Sequence, residues 1–430
     1  MDRRLQRRYV KLVKAHMSSS SRNAAGPVIL AETETSAAAT QAAWRFLNNE
    51  RVRLTALVEP LREAGKLGCA ESPSDFVLLA HDWSKMDYGR HEAKRDRRQL
   101  THEHDIGYDL TTALLVDAHS GMPLAPMQMH VKTADAVYGT SENPPTPDDH
   151  HLEQLQPTME EVSDWDLPRR VVHVIDREAD SLGHFRKWDS AGHLFLVRCD
   201  DRRVLWKDDR WLISEIADHF DRECLFEDAR EVAFQGKSAR QEVAEATIVL
   251  HRPHKTRKDG KQHDIPGRPL EMRLVVARIV DEDDYLLAQW TLLTNVPADL
   301  VDASRIAEWY YRRWRIESFF KLLKSHGQEL EHWQQETGEA IARRLLVAAM
   351  ACVVVWTLQR CQTSEAEEIK QVLIRLSGRS MKRGVPYTAP ALLAGYMVLL
   401  SITDLLEHTD YDPQKLKRLA ATAIPFLDTS

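Results

Sequence analysis

The sequence predicts an α/β protein whose mixed sheet is interrupted by a mostly β insertion and flanked by helical regions at both ends. Three observations lead to this prediction. Short apolar runs of strand type occur between residues 76 and 198, and helical patterns separate the later ones. A second set of strand-like runs with turn-rich connections follows up to residue 295. Helical periodicity returns at Ala303 and dominates the rest of the chain.

Composition and charge limit the classes of function. The chain has 430 residues, enough for two or three domains, and its 43% hydrophobic and 29% charged residues are typical of a soluble protein. A net charge of -7 argues against nucleic-acid binding by overall charge, so any such contact must come from local basic patches. The five cysteines are scattered without a C-x-x-C pair, which fits a reducing compartment and disfavours a disulfide framework or a zinc ribbon.

Two segments of the sequence bear on secretion and membrane insertion. The basic N-terminal segment lacks the apolar stretch of a secretory signal. The longest apolar run, Leu345–Leu358, has 14 residues, which predicts a buried helix rather than a membrane span. We therefore expect a cytoplasmic protein without a membrane partner.

The N-terminal region, residues 1–70, is predicted to be a helical DNA-binding domain. Residues 2–16 combine apolar residues at helical spacing with six basic residues, among them Arg4, Arg7 and Arg8, against one acid. An alanine-rich helix follows over 31–49, with Thr33 or Thr35 as its cap. A basic helix in a small helical module is typical of a DNA-binding head, and equally of a solvated amphipathic helix.

The α/β core is predicted over 71–203 and 297–345. A buried strand at Phe76–Ala80 runs into Asp82, and strands follow at 108–117 and 127–132. Another buried strand, Val171–Ile175, runs into Asp176 and the start of a helix. The strand 195–198 ends at Arg198.

Residues 204–296 form the predicted β insertion, with strands at 246–250, 270–280 and 285–295 and a basic, turn-rich hairpin between the first two. Trp290 lies within the last strand. The region 346–430 is predicted to be helical. Its apolar segment 387–408 suits either dimer contacts or the core of a monomer.

One stretch, 310–324, combines residues suited to phosphate chemistry. Tyr310, Arg313, Glu317 and Lys324 fall within an arc of roughly 60° if the helix is continuous. Two cations that flank an acid suit a site for phosphate oxygens beside a metal. The same stripe is also typical of a solvated helix face with i,i+4 ion pairs. Between residues 305 and 324 there are six basic and two acidic residues, a local net charge of +4.

Three carboxylates are candidates for a shared site. Asp82 and Asp176 lie at strand ends and Glu317 lies within a helix, so the fold can bring them together around two divalent cations. Mg²⁺ and Mn²⁺ prefer carboxylate and water oxygens, and a metal pair promotes in-line phosphoryl displacement. The alternatives are a turn residue for Asp82 and an N-cap for Asp176.

These residues resemble a known family. The run from Tyr310 to Lys324 is similar to the Y-x2-R-x3-E-x6-K signature of the bacterial insertion-sequence-four transposases. HDWS around Asp82, IDREAD around Asp176, FLVR ending at Arg198 and QWTLLT around Trp290 resemble further family segments in the same order.

The resemblance implies a ribonuclease H-like catalytic core of the DDE type, with two Mg²⁺ or Mn²⁺ ions bound by Asp82, Asp176 and Glu317. It implies that Tyr310, Arg313 and Lys324 hold DNA, and that Trp290 stacks on a flipped base and Arg198 contacts a strand. A core tryptophan and a strand-edge arginine remain alternatives for these last two.

It also implies the partners: double-stranded DNA, as transposon ends and as target, and a second copy in a synaptic homodimer, with no small-molecule substrate. The resemblance further implies that the protein is associated with the nucleoid in the bacterial cytoplasm. The alternative functions are a non-catalytic regulator or inhibitor of transposition and a nuclease without strand transfer.

Overall fold

The computed structural model describes residues 1–18, 36–258, 261–325, 327–379 and 386–408, together with 412, 414 and 418. The helix predicted over 31–49 therefore begins outside the described residues, and its caps Thr33 and Thr35 lie outside them too. Most of the predicted C-terminal region after residue 408 also lies outside them.

Three helices open the chain: α1 (Arg3–Ser18), α2 (Ser36–Leu47) and α3 (Leu54–Glu71). In α1 the apolar residues recur at three- and four-residue spacing, so one side of the helix is buried, through Tyr9, Leu12, Val13 and Met17. The arginines of the opposite side face solvent or are half-buried.

The core elements follow in chain order. They are β1 (Phe76–Asp87), β2 (Arg98–Gln99), β3 (Ile106–Asp117), β4 (Pro123–Lys132), β5 (Val137–Gly139), α4 (Leu155–Glu161), β6 (Arg170–Ile175), α5 (Leu182–Ser190) and β7 (Leu194–Arg198). Each strand predicted here is confirmed, and all five are longer than their apolar runs indicated. Because β1 continues to Asp87, Asp82 lies within this strand, paired with Thr112 of β3, and neither at a strand end nor in a turn.

The topology of this core confirms the predicted fold class. The strands lie in the order β4-β3-β1-β6-β7. β1 is antiparallel to β3 and parallel to β6, and β6 is parallel to β7. Three antiparallel strands joined to two parallel ones in this order form a ribonuclease H-like core.

The next region extends the same sheet. Its elements are β8 (Arg203–Trp206), β9 (Asp209–Leu212), α6 (Ile213–Arg222), β10 (Glu227–Phe234), β11 (Lys237–Leu250), β12 (His254–Lys258), β13 (Lys261–Ile265), β14 (Leu270–Val280) and β15 (Leu286–Thr294). β15 pairs with β7, so the β insertion and the core share one sheet of thirteen strands among the described residues. The sequence predicted β11, β14, β15 and the hairpin of β12 and β13, but it missed β8–β10, α6 and the continuity with the core.

Five helices complete the described chain: α7 (Ala303–Arg312), α8 (Arg315–Lys324), α9 (Gly338–Arg360), α10 (Ser364–Leu376) and α11 (Ala389–His408). Among the described residues, α9 is the one helix long and apolar enough to cross a membrane, and 78% of its most apolar window is buried inside the protein. With 23 residues it is longer than the apolar run at its centre indicated. Its burial is that of a core helix.

The sheet separates two hydrophobic cores. Val174 and Leu196 point into the larger core, which also contains residues of α3, α7, α8 and α9. Ile175, Phe195 and Val197 point the other way, into a core shared with α4, α5 and α6. Because β6 and β7 are covered on both faces, their sequences are almost continuously apolar.

Candidate active site

Four neighbouring strands place predicted site residues on one face of the sheet. The strands β1, β6, β7 and β15 are adjacent in this order. Side chains alternate along a strand, so Asp176 projects from the same face as Val174, and Arg198 from the same face as Leu196. The same rule and the pairing registers put Asp82 and Trp290 on this face. This is the face that α7 and α8 cover.

The helix above this face differs from the prediction in one respect. The chain 310–324 is not one continuous helix, because α7 ends at Arg312 and α8 begins at Arg315. The backbone N–H groups of Arg313 and Trp314 donate to carbonyls three residues earlier, so the chain is more tightly wound here. The four residues predicted to share one helix therefore lie on two helices and the turn between them. Tyr310, Arg313 and Glu317 are still in contact with one another through Arg313.

Arg313 connects two of the acids by hydrogen bonds. Its Nη1 donates to Asp82 Oδ2 at 2.8 Å and its Nη2 to Glu317 Oε1 at 3.4 Å. Its guanidinium carbon lies 5.9 Å from the ring centre of Tyr310 and 5.4 Å from that of Trp314. The Arg313 side chain is only 7% exposed. One buried guanidinium thus joins two acids that are far apart in the chain.

The three acids interact electrostatically. Burial raises the pKa of the Asp82 carboxyl to about 6 against the opposing effect of Arg313, and the charges of Asp176 and Glu317 add to the rise. For Arg313, burial acts against the charged form, but the three carboxylates together with Tyr310 leave its pKa raised. The charges of Asp176 and Glu317 therefore act on Asp82, and Arg313 is the counter-charge that the three carboxylates share.

Asp176 has a capping role as well. One of its oxygens, Oδ1, accepts a hydrogen bond from the Glu178 backbone N–H at 2.9 Å, at the start of a short 3₁₀ turn. The N-cap alternative from the sequence is thus correct for that oxygen. Capping and cation binding are compatible, because a carboxylate has two oxygens and about four lone-pair positions.

Tyr310, Arg198 and Lys324 surround the acids. Tyr310 is buried, and burial raises the pKa of its hydroxyl while the charges of Arg313 and Arg198 oppose the rise. Lys324 Nζ donates to the backbone carbonyl of Lys85 on β1 and lies 3.3 Å from Glu331. Lys324 therefore lies next to the part of β1 that follows Asp82.

Trp290 is half-buried on β15 and packs against the larger core. The structure places it on the same face as the acids and gives it apolar neighbours, so its position suits both alternatives stated from the sequence.

The local net charge of +4 between residues 305 and 324 overstates the field at the site. Arg312 is buried, donates to the carbonyls of Ala118 and His119, and pairs with Glu308. Arg305 also pairs with Glu308, at 2.6 Å. Two of the basic residues in this stretch therefore neutralise an acid of the protein itself and are not directed at a ligand.

A second basic feature lies between α1 and α2. A cleft of about 640 Å³ is lined by seven cationic side chains and one acid, Asp2. The cations are Arg3, Arg4, Arg7, Arg8, Lys11, Arg45 and Arg51. The sequence indicated Arg4, Arg7 and Arg8, but it did not show that Arg45 and Arg51 face the same cleft.

The acids fit divalent cations by their chemistry. Three carboxylates supply only oxygen donors, which are the ligands that hard divalent cations prefer. Within the described ranges, no set of three or more His, Cys, Asp and Glu side chains is already grouped closely enough to hold a metal. Arg313 lies between two of the acids and supplies the positive charge there.

Comparison with known proteins identifies the family. The family model described as the transposase DDE domain matches residues 74–354, more than half of the chain. The chain therefore belongs to this transposase family. Among solved structures it is similar to the piggyBac transposase in a cryo-EM synaptic complex with hairpin DNA. That similarity has 9% identity and a TM-score of 0.35, over 96% of this chain and 74% of that chain.

Proposed function

We propose that the protein is a DNA transposase of the insertion-sequence-four type. It binds double-stranded DNA at the inverted terminal repeats, cleaves the ends and transfers the freed 3′ hydroxyl strands into target DNA. The observation that carries the proposal is the junction at Arg313, which joins Asp82 and Glu317 beside Asp176 within a transposase DDE domain.

Asp82, Asp176 and Glu317 are the proposed catalytic acids and metal ligands. Two Mg²⁺ or Mn²⁺ ions held by them would activate the attacking oxygen and stabilise the leaving oxygen of an in-line phosphoryl displacement. Asp82 lies on β1, Asp176 directly follows β6 on the same face of the sheet, and Glu317 lies in the first turn of α8.

The surrounding side chains are the proposed DNA contacts. Arg313 offers a guanidinium fork that suits two phosphate oxygens as well as two carboxylates. Tyr310 and Lys324 hold the strand beside it, and Arg198 holds the strand above β7. Trp290 stacks on an unpaired base, since an indole can replace lost base stacking.

The basic cleft between α1 and α2 is the proposed site for the terminal repeat. Arg4, Arg7 and Arg8 line it together with four further cations. Clustered cations neutralise phosphates and release counterions, which favours binding to a duplex.

A homodimer is the proposed working form, with two copies joining two ends. On α11, Val398 and Ile402 are exposed one helical turn apart, and on α10 Ile369 and Val372 are exposed three residues apart. Since α10 and α11 pack together, these residues give an apolar surface to the C-terminal region that suits contact with a second copy. We place the protein at the nucleoid of a bacterial cytoplasm.

Cleavage of end-bearing DNA tests the proposal. The substrate carries the sequences that flank the coding region of the element, and 3′ hydroxyl release is measured with Mg²⁺. The wild-type protein is expected to cut. Asp82→Asn, Asp176→Asn and Glu317→Gln are expected to bind the ends as the wild type does and to cleave them more slowly. The cleavage rate should fall by more than the roughly 10–100-fold that is lost when only a hydrogen-bonding partner of a metal ligand is removed. The exposed Asp299→Asn serves as the matched control.

Two outcomes would contradict this function. Equal cleavage by wild type and the three acid variants would remove the assignment of the acids. A wild-type protein that binds ends tightly and never cuts them would favour the second candidate, a regulator or inhibitor of transposition. The three acids and the complete Tyr-Arg-Glu-Lys set favour the enzyme.

A further inference from the structure

The backbone ladder between the two acid-bearing strands stops before it reaches the acids. β1 and β6 pair in parallel from Phe76 with Arg170 to Ala80 with Val174, and no further. Asp82 and Asp176 each lie two residues beyond the last pair. β1 stays paired with β3 past Asp82, and β6 with β7 up to Ile175, but no backbone hydrogen bond joins β1 directly to β6 at the level of the acids. Side-chain contacts between the two strands can therefore adjust the separation of the acids.

The first such contact is a histidine pair. His81 Nε2 lies 2.9 Å from His173 Nδ1, and the rings are stacked with centroids 5.1 Å apart. The two residues are only 3% and 1% exposed. The 2.9 Å distance is that of a hydrogen bond, which one ring donates to the other. His81 directly precedes Asp82.

The second contact uses His151. Its ring centroid lies 3.9 Å from that of Trp83, and its Nε2 lies 3.0 Å from Glu178 Oε2. Trp83 directly follows Asp82, and Glu178 is two residues beyond Asp176. A single imidazole thus joins the chain just past one acid to the chain just past the other.

Both contacts start from the face of the sheet opposite to the acids. His81, Trp83 and His173 alternate with the acids along their strands, so they project from the face opposite to Asp82 and Asp176. They cannot take the place of the acids as ligands. Their geometry joins β1 to β6 on both sides of the level at which the acids lie.

We propose that the pair His81–His173 and the bridge Trp83–His151–Glu178 are positioning devices that set the separation of Asp82 and Asp176 and thereby the affinity for divalent cations. The inference rests on the proposed function, because it takes these acids as metal ligands. A pair of buried histidines that only packs the core would affect stability and leave cation affinity unchanged, so the two quantities have to be measured separately.

The test is Mn²⁺ binding to the full-length protein without DNA, by isothermal titration calorimetry, together with thermal unfolding. His173→Leu removes the hydrogen bond, and His151→Ala removes the second bridge. Each is expected to weaken Mn²⁺ binding about tenfold, the lower end of the range for groups that hydrogen-bond a metal ligand directly. His173→Gln, which can keep a hydrogen bond to His81, is expected to bind within about threefold of wild type.

His16→Leu is the matched control. His16 is another buried histidine, on α1, and its Nδ1 lies 2.7 Å from Gln328 Oε1. This variant is expected to unfold at a lower temperature with Mn²⁺ affinity unchanged. The same result for His173→Leu and His151→Ala would overturn the inference and leave the proposed function intact. A wild-type protein that binds no Mn²⁺ would overturn both.

Discussion

Arg313 is the residue on which the arrangement of the acids depends. Its fork binds Asp82 and Glu317, and it is only 7% exposed. A buried arginine is stable only with close acceptors, because the cost of removing its charge from water has to be offset. The same positive charge competes with any cation for the same carboxylates. Under the proposed function, metal ions would bind the two carboxylates in place of Arg313, and the guanidinium would then be free to bind phosphate oxygens.

The raised pKa of Asp82 predicts that the ionised carboxylate lowers the stability of the folded protein. Its folded-state pKa is about 6 against an ordinary 3.8, with burial as the main cause. The stability that its protonation contributes is complete below pH 3.8 and is lost as pH rises through 6. Asp82→Asn is therefore expected to stabilise the protein in EDTA by about 1–3 kcal/mol at pH 7.5 and by almost nothing at pH 4, measured by urea unfolding.

The exposed Asp299→Asn controls for loss of charge and is expected to change stability by less than about 0.5 kcal/mol at either pH. Destabilisation by Asp82→Asn at pH 7.5 would mean that the ion pair with Arg313 outweighs the burial of the carboxylate.

At the scale of elements, the N-cap of α7 stabilises the start of the helix that carries Tyr310. The Asp302 side chain accepts from the Arg305 backbone N–H at 2.7 Å and fixes the first turn of the helix that carries Tyr310. Asp302→Ala is expected to cost about 1 kcal/mol of unfolding free energy, the usual value for an N-cap. Because the start of α7 is then no longer fixed, end cleavage should slow as well.

Thr363 offers the comparison, since its side chain caps α10 by accepting from the Ala366 backbone N–H at 3.2 Å. Thr363→Ala should lose similar stability and keep the cleavage rate. If both variants cut equally slowly, general destabilisation rather than the position of α7 would explain the loss.

Helix α1 presents a basic surface because most of its apolar residues, although not Val10, are buried on the other side, where it packs on α9 and α11. Replacing Arg4, Arg7 and Arg8 together by alanine is expected to weaken end binding. The slope of log K against log salt should become shallower by about 0.9 for each phosphate that these arginines no longer neutralise.

The control for this variant is Arg210→Ala with Arg222→Ala, which removes two exposed arginines from an acid-rich cleft. It should leave the slope unchanged. An unchanged slope for the α1 variant would show that α1 is a solvated helix without a DNA contact.

Over the whole molecule, the sequence was sufficient for the features that depend on local pattern. Apolar runs located β1 and β6 and placed Asp176 correctly at a strand end. The strand end predicted for Asp82 was wrong, because β1 continues to Asp87 through residues that are not apolar. The ribonuclease H-like topology came from the family resemblance, and the strand order confirms it. The roles of the site residues stay predictions.

Other features depend on contacts between distant residues and had no local signal. The pairing of β15 with β7 joins the insertion to the core, and only the folded chain shows it. The break between α7 and α8 contains neither Gly nor Pro, so composition did not indicate it. The histidine bridges were missed for a similar reason: a strand histidine is recognised as a hydrogen-bonding partner only when its neighbour across the sheet is known.

The central claim is that acids from three distant parts of the chain hold divalent cations for DNA cleavage. Its most direct test is a metal-preference switch at one ligand. A thiolate is a softer donor than a carboxylate, so it binds Mn²⁺ more readily than Mg²⁺. Asp176→Cys is expected to lose end cleavage in Mg²⁺ and to regain part of it in Mn²⁺, while the wild type works in both. Equal activity of Asp176→Cys and wild type in Mg²⁺ would contradict the claim.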